Sequence, residues 1–337
     1  MRVALDALGG DLAPAEQVKG ALLAAEEFGV DVILVGPPNV IEAELAKFPR
    51  NNRISIVEAQ DAITMGEDEI VRAVRTRRDA SINVAMTLVK DGEADAMVSA
   101  GNTGAVMASA FFNLGRIHGV ERPALSTLIP FNAGRVFLLD AGANADCRPS
   151  YLLQFAKMGA VYSREVVGVA NPRVGLLNTG EESGKGNETI AEAYELLSQS
   201  DLNFVGNIEG QNVHKGLCDV VVADGFTGNV ALKVGEGMAD YILQQVRSVI
   251  RSSILYAPAA MLLKPALRRA LKSLQYEEYG GGNLLGVNGV VVIAHGRSDA
   301  VAIKNALRVA NASAASNLML KMRETFALPG EPSAAGR

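Results

Sequence analysis

Cysteine and histidine are scarce in this 337-residue sequence: Cys147 and Cys218 stand far apart in no C-x-x-C spacing, and the histidines are His118, His214 and His295. Such usage excludes a disulfide framework and a cysteine-rich zinc site, and it fits a reducing compartment. No histidine has a second one at helical metal-binding spacing. A basic excess is also missing, since 32 Lys and Arg face 37 Asp and Glu for a formal charge of −5. That balance argues against a nucleic-acid partner. Long hydrophobic runs are missing too. The longest uncharged stretch, 96–114, carries Ser99, Asn102, Thr103, Ser109, Asn113 and two glycines, which a bilayer core does not accept cheaply. Asp6 interrupts the first apolar residues before a signal peptide takes shape. The expectation is a cytoplasmic chain that does not span a membrane, with contact at a membrane surface left open. Neither a G-x-S-x-G elbow nor a G-x-x-x-x-G-K-[ST] phosphate loop is present, which sets aside those two enzyme types. Cys147, beside an apolar helix start, reads more readily as an inert thiol than as a nucleophile.

What is present is the balance of a soluble globular protein, 49% hydrophobic and 20% charged, with length enough for two lobes of about 150 residues. Short β-branched runs at 3–6, 32–36, 54–57, 96–99, 125–129, 136–140, 174–178, 203–206, 220–223 and 290–294 alternate with helical patterns at 14–28, 68–90, 187–197, 229–250 and 299–326. Several runs are apolar throughout, which suits strands covered on both faces. The order predicts an α/β fold, a mainly parallel sheet with helices on both faces. One domain over 1–328, made of two interwoven lobes, is expected, with 329–337 as a disordered tail rich in Pro, Gly, Ser and Ala.

Small polar residues gather where these strands end. Asp6 leads into Gly9 and Gly10; Ser99 into Gly101, Asn102, Thr103 and Gly104; Asp140 into Gly142 and Asn144; Asn178 into Thr179 and Gly180; and Asp224 into Gly225, Thr227, Gly228 and Asn229. In open α/β sheets ligands bind beyond the carboxyl ends of strands, where glycine bares the backbone N–H and Asn or Thr adds a compact hydrogen bond. Ordinary βα turns and helix N-caps use the same residues, but five such loops point to one shared site. Gly184-Lys185-Gly186 opens a helix and offers free N–H groups and a cation to an anion. His295, followed by Gly296-Arg297-Ser298, lies at another strand end, as a hydrogen-bonding group or an acid–base. The spaced glycines of 280–286 follow no strand run and are weak support for a dinucleotide. The inventory is rich in neutral donors, with one or two cations and few nucleophiles, which suits a reaction with an oxyanion as both ligand and reactant.

Several phrases together resemble the PlsX-type phosphate acyltransferases. They are the runs 6–14, 63–67, 99–105, 139–144 with Asp146 and Cys147, 177–182, 204–210, 224–229 and 279–282, in order along nearly the whole chain. Leu12 departs from the polar residue expected in the first of them. The resemblance implies a fold like phosphotransacetylases and isopropylmalate or isocitrate dehydrogenases. It also implies a homodimer that transfers a fatty acyl group from acyl carrier protein to inorganic phosphate for phospholipid synthesis. No metal and no cofactor are expected, because a thioester is already activated and phosphate brings its own nucleophilic oxygen.

For that reaction the candidate catalytic residues are Lys185, Asn178, Asn229 and His295. Lys185 and the N–H groups near Gly186 would bind phosphate, and His295 would move a proton. Asp6, Gly9, Gly10, Asn102, Thr103, Gly104, Asn144, Asp224 and Thr227 complete the substrate-binding set. Rival readings are an acyl-coenzyme A phosphotransacylase and a non-catalytic two-lobed solute-binding protein. The segment 241–276 stands apart: it has no acidic residue and six cations. Around Pro265, Leu263, Leu267 and Leu271 alternate with Lys264, Arg268, Arg269 and Lys272. This protruding amphipathic stretch is expected to meet an anionic membrane surface, the acidic carrier or a second protomer. Peripheral association with the inner face of the cell membrane follows from the first option.

Overall fold

The computed structural model describes residues 1–131, 134–252 and 280–327. Eleven strands form one sheet in the order β3-β2-β1-β4-β11-β10-β5-β6-β9-β7-β8. They are β1 (Arg2–Asp6), β2 (Asp31–Gly36), β3 (Ile54–Glu58), β4 (Ala96–Ser99), β5 (Ala124–Phe131), β6 (Gly134–Leu139), β7 (Arg173–Asn178), β8 (Asn203–Glu209), β9 (Val220–Val222), β10 (Gly282–Leu285) and β11 (Val290–Ile293). Pairing is parallel except where β10 meets β11 and β5 and where β5 meets β6. The expected α/β architecture is therefore observed, with a short antiparallel seam in its middle.

Alternation along the strands explains why the sheet is covered twice. In β1, Val3 and Leu5 pack with Val18 and Ala21 of α1 (Ala15–Phe28) and with Ile303 and Leu307 of α9 (Ala300–Ala315). Ala4 points the other way, into a cluster with Met86 of α4 (Ser81–Lys90) and Val106 of α5 (Thr103–Asn113). Beyond the seam, Phe137, Leu139, Val174 and Val222 pack on Phe155 and Met158 of α6 (Pro149–Tyr162), Leu197 of α7 (Glu188–Ser198) and Met322 of α10 (Leu318–Phe326). Each large side chain so buried contributes about 1.5–3 kcal/mol. The remaining helices are α2 (Pro38–Leu45), α3 (Ile70–Thr76) and α8 (Gly225–Arg251).

Three helical expectations are corrected. The 68–90 pattern is two helices, because Asn83 Nδ2 donates to Val74 O at 2.9 Å and Arg77 O at 2.8 Å, closing α3, while Ala80 bridges to Asp61. The closing pattern 299–326 breaks at Ser316, which is extended and whose Oγ donates to Ser313 O and accepts from Leu318 N. The 229–250 helix starts at Gly225 because Asp224 caps it. The glycine-spaced 280–286 run holds β10 itself, where a Cβ on Gly282 would strike Ser126 O.

Register decides where the strand ends meet. Leu5 pairs with Val98, Val98 with Val292, and Val292 with Asn283. Asn283 exchanges hydrogen bonds with Ser126 Oγ at 3.0 and 3.1 Å, and Ser126 pairs with Leu139, Leu139 with Val222 and Val222 with Leu176. One lateral row thus joins residues at or near the ends of strands running in opposite directions, with Val292 and Leu139 about 14 Å apart at ordinary strand spacing. No described helix is long and apolar enough to cross a membrane, and 263–272 lie outside the described residues.

Candidate active site

The ends of β1, β4 and β11 form one group. Asp6 is buried, and Ser81 Oγ and Ser99 Oγ donate to its two oxygens at 2.6 and 2.7 Å while Leu8 N donates at 3.2 Å. Burial raises its pKa against those bonds. A Cβ on Gly9 would sit 2.6 Å from Asp6 Oδ2 and 2.9 Å from Gly101 N, so only glycine lets these two loops touch. Gln17 Nε2 donates to Gly9 O at 2.5 Å, and Asp11 N donates to Gly296 O at 2.8 Å, which ties the loop after Gly10 to the one that carries His295. Asn102 caps α5 by accepting from Ala105 N at 3.2 Å and donates Nδ2 to Met65 O at 3.1 Å, beside Thr103 and Gly104. His295 Nδ1 accepts Arg297 N–H at 3.3 Å. Burial first, then Lys233 and Arg297, lower its pKa, while Glu236 and Asp11 oppose them, so the ring is neutral at pH 7.

The second group sits at the ends of β6 and β9. Asp140 is fully buried and accepts five N–H bonds: Leu125 N, Gly142 N, Ala143 N, Asn144 N and Asn144 Nδ2, at 3.0, 3.1, 2.9, 2.7 and 2.8 Å. Burial still raises its pKa. Asn144 Nδ2 also donates to Pro123 O at 2.8 Å. Helix α8 docks its first turn here: a Cβ on Gly225 would lie 2.6 Å from Asn144 O, one on Gly228 would strike Asp140 O, and Gly142 faces the Asn229 side chain. Asp224 accepts Thr227 N at 2.8 Å and Thr227 Oγ1 at 2.7 Å. Two turns later the same helix brings Lys233 and Glu236 within electrostatic reach of His295 and so links the two groups.

The third group follows β7. Asn178 Nδ2 donates to Lys185 O at 3.0 Å, and its Oδ1 accepts Thr179 N at 2.7 Å. Asn187 caps α7 by accepting Ile190 N at 2.9 Å. Lys185 is exposed at this helix entrance beside Gly186, whose φ is +93°.

The structure therefore gathers Asp6, Gly9, Gly10, Asn102, Thr103, Gly104 and His295 on one side. Asn144, Asp224, Thr227 and Asn229 come together on the other, with Asn178, Lys185 and Gly186 on the neighbouring strand end. Asp6, Asn102, Asn144, Asn178 and Asp224 spend their polar atoms on the loops themselves. The sequence places Asp140 and Ser99 at strand ends without giving them a role in the site, and Gln17, Ser81 and Met65 carry no such mark. The signal for Asp140 was a carboxylate at a strand end followed at once by Gly and Asn. Cys147 and Cys218 both have pKa values raised to about 12, by burial first, and so stay as thiols.

Known proteins match this chain over nearly its full length. A protein-family model described as "Fatty acid synthesis protein" matches residues 1–321. A phosphate acyltransferase of Heliobacterium modesticaldum is 50% identical over 333 residues, 98% of each chain. One of Nostoc punctiforme is 47% identical over 334 residues, again 98% of each. Among solved structures, a phosphotransacetylase from Streptococcus pyogenes superposes with a TM-score of 0.63 at 17% identity, covering 93% of this chain and 94% of that one. A branched-chain phosphotransacylase from Enterococcus faecalis gives 0.56 at 16% identity, covering 94% and 99%. At such identities the two structures speak for the fold.

Proposed function

This chain belongs to the phosphate acyltransferase family, the fatty acid synthesis proteins, and is an acyltransferase; on that premise we propose that it moves a fatty acyl group from acyl carrier protein to inorganic phosphate. The products are acyl phosphate and free carrier, as a step of phospholipid synthesis. An oxygen of hydrogen phosphate forms the new C–O bond at the thioester carbonyl, the C–S bond breaks, and the carrier thiolate leaves with the electron pair and takes the proton that the attacking phosphate gives up. What supports the reading is the loop after β7, where Lys185 stands exposed at a glycine-flanked helix entrance, a geometry that favours an anion. His295, at the end of β11, is the candidate that moves the proton, with a pKa that burial first and then Lys233 lower. Orientation alone supplies about 7–11 kcal/mol in such reactions and one oxyanion donor about 3–4 kcal/mol. Neither a serine triad nor an ionised cysteine is required.

Two partners belong to the proposal. Phe226, Val230, Val234, Met238, Ile242 and Val249 lie exposed along one side of α8, a stripe that a second copy covers in a homodimer. The basic stretch with Leu263, Lys264, Leu267, Arg268, Arg269, Leu271 and Lys272 meets anionic lipid from the cytoplasmic side and delivers the greasy product there. Palmitoylated carrier, phosphate and the protein are mixed and the products read by mass spectrometry. Acyl phosphate that needs all three is expected. Its absence contradicts the reading, and formation only with acyl-coenzyme A as donor turns it into the coenzyme-dependent transfer.

A further inference from the structure

Two buried asparagines donate to the loop that carries Lys185. Asn207 in β8 and Asn212 in the 3-10 turn Gly210–Lys215 are 5% and 7% exposed. Each aims its amide nitrogen at the loop: Asn207 Nδ2 donates to Glu182 O at 2.8 Å, and Asn212 Nδ2 donates to Glu181 Oε1 at 2.8 Å. Each leaves its Oδ1 buried with no partner among the described residues. An unpaired buried acceptor destabilises the fold, and an apolar side chain at either place would avoid it. What the asparagines supply in return is the grip on the loop.

That grip converges on Lys185. Glu182 O accepts Lys185 N at 3.2 Å as well as Asn207 Nδ2, and Lys185 O accepts Asn178 Nδ2 at 3.0 Å. The backbone on both sides of the lysine is thereby anchored, directly by Asn178 and through Glu182 O by Asn207. Without those anchors, an exposed run with glycines at 180, 184 and 186 has wide conformational freedom. We propose that Asn207 is a positioning residue for the acyl transfer, fixing Lys185 where its ammonium meets phosphate, with Asn212 steadying the turn before it. The proposal rests on the reading of Lys185 as the phosphate-binding cation.

A double-mutant cycle tests it on the full chain, with phosphate saturation measured at saturating acyl carrier. Asn207→Ala is expected to raise the phosphate KM about tenfold, because small displacements of a binding group are costly, while the carrier KM stays within about twofold. The pair Asn207→Ala with Lys185→Ala is expected to match Lys185→Ala alone, since one acts through the other. Asn207→Asp, which keeps the size but turns an oxygen towards Glu182 O, is expected to reproduce the phosphate effect. Wild-type phosphate saturation in both Asn207 variants beside a defective Lys185→Ala overturns the proposal, and so do effects that multiply in the double variant. Failure of both Asn207 variants to fold assigns the residue to the core and overturns it too. Wild-type phosphate saturation in Lys185→Ala overturns the phosphate reading beneath it.

Discussion

Asp140 sits under the whole second loop group with five N–H donors on one carboxylate. Asn at that position has one acceptor oxygen and turns an NH2 towards donors, which leaves at least two buried N–H groups unpaired. At about 1–3 kcal/mol each, Asp140→Asn is expected to lose about 2–6 kcal/mol in denaturant titrations, and a loss below about 0.5 kcal/mol would contradict this role. His295 gives a pH prediction. Its pKa lies below the ordinary 6.5 because burial and neighbouring Lys233 and Arg297 disfavour the cation. The unfolded chain therefore binds the proton first, so this group leaves stability intact above about 6.5 and subtracts from it as pH falls towards the folded-state value. An NMR titration of the imidazole is expected to show its midpoint below 6.5, and a midpoint at or above it contradicts the described surroundings.

At the scale of elements, α8 is placed by contact rather than by propensity. Gly225 and Gly228 let its first turn lie on the Asp140 loop, which is why the helix starts four residues before the apolar pattern at Asn229. Gly228→Ala is expected to push that turn off Asp140, losing about 1–3 kcal/mol by overpacking and most of the turnover; full turnover with unchanged melting would show that the contact is dispensable. All ten strand runs were legible from their β-branched residues, with ends shifted by a few positions. Strand β10 was not, because Gly282–Leu285 is chosen for close approach to Ser126 rather than for strand propensity. The breaks at Arg77–Ala80 and Ser316 were hidden for a related reason: each is made by a distant or local side-chain hydrogen bond, from Asn83 in one case and Ser316 in the other, which apolar periodicity does not register.

For the whole molecule, the decisive feature is the row from Leu5 to Leu176 that brings oppositely directed strand ends together. The sequence shows the loops and their chemistry but not this register, which depends on the two-rung pairing of β10 with β5. Nor does it show which strand-end polar groups hold their own loops, since Asn102, Asn144 and Asn178 look alike until their partners are known. The α8 stripe makes a prediction at this scale. Light scattering is expected to give twice the chain mass, and Val234→Glu with Met238→Glu to give a folded monomer; a monomeric wild type contradicts the dimer.

If the Lys185 loop holds phosphate, as proposed, phosphate saturation must respond to Lys185→Ala. Loss of one charge-assisted hydrogen bond, about 1.5–3 kcal/mol, predicts a phosphate KM raised roughly 10- to 100-fold, with lower turnover and an unchanged melting temperature. A variant whose phosphate saturation and turnover both match the wild type would make Lys185 a surface residue and move the phosphate site elsewhere.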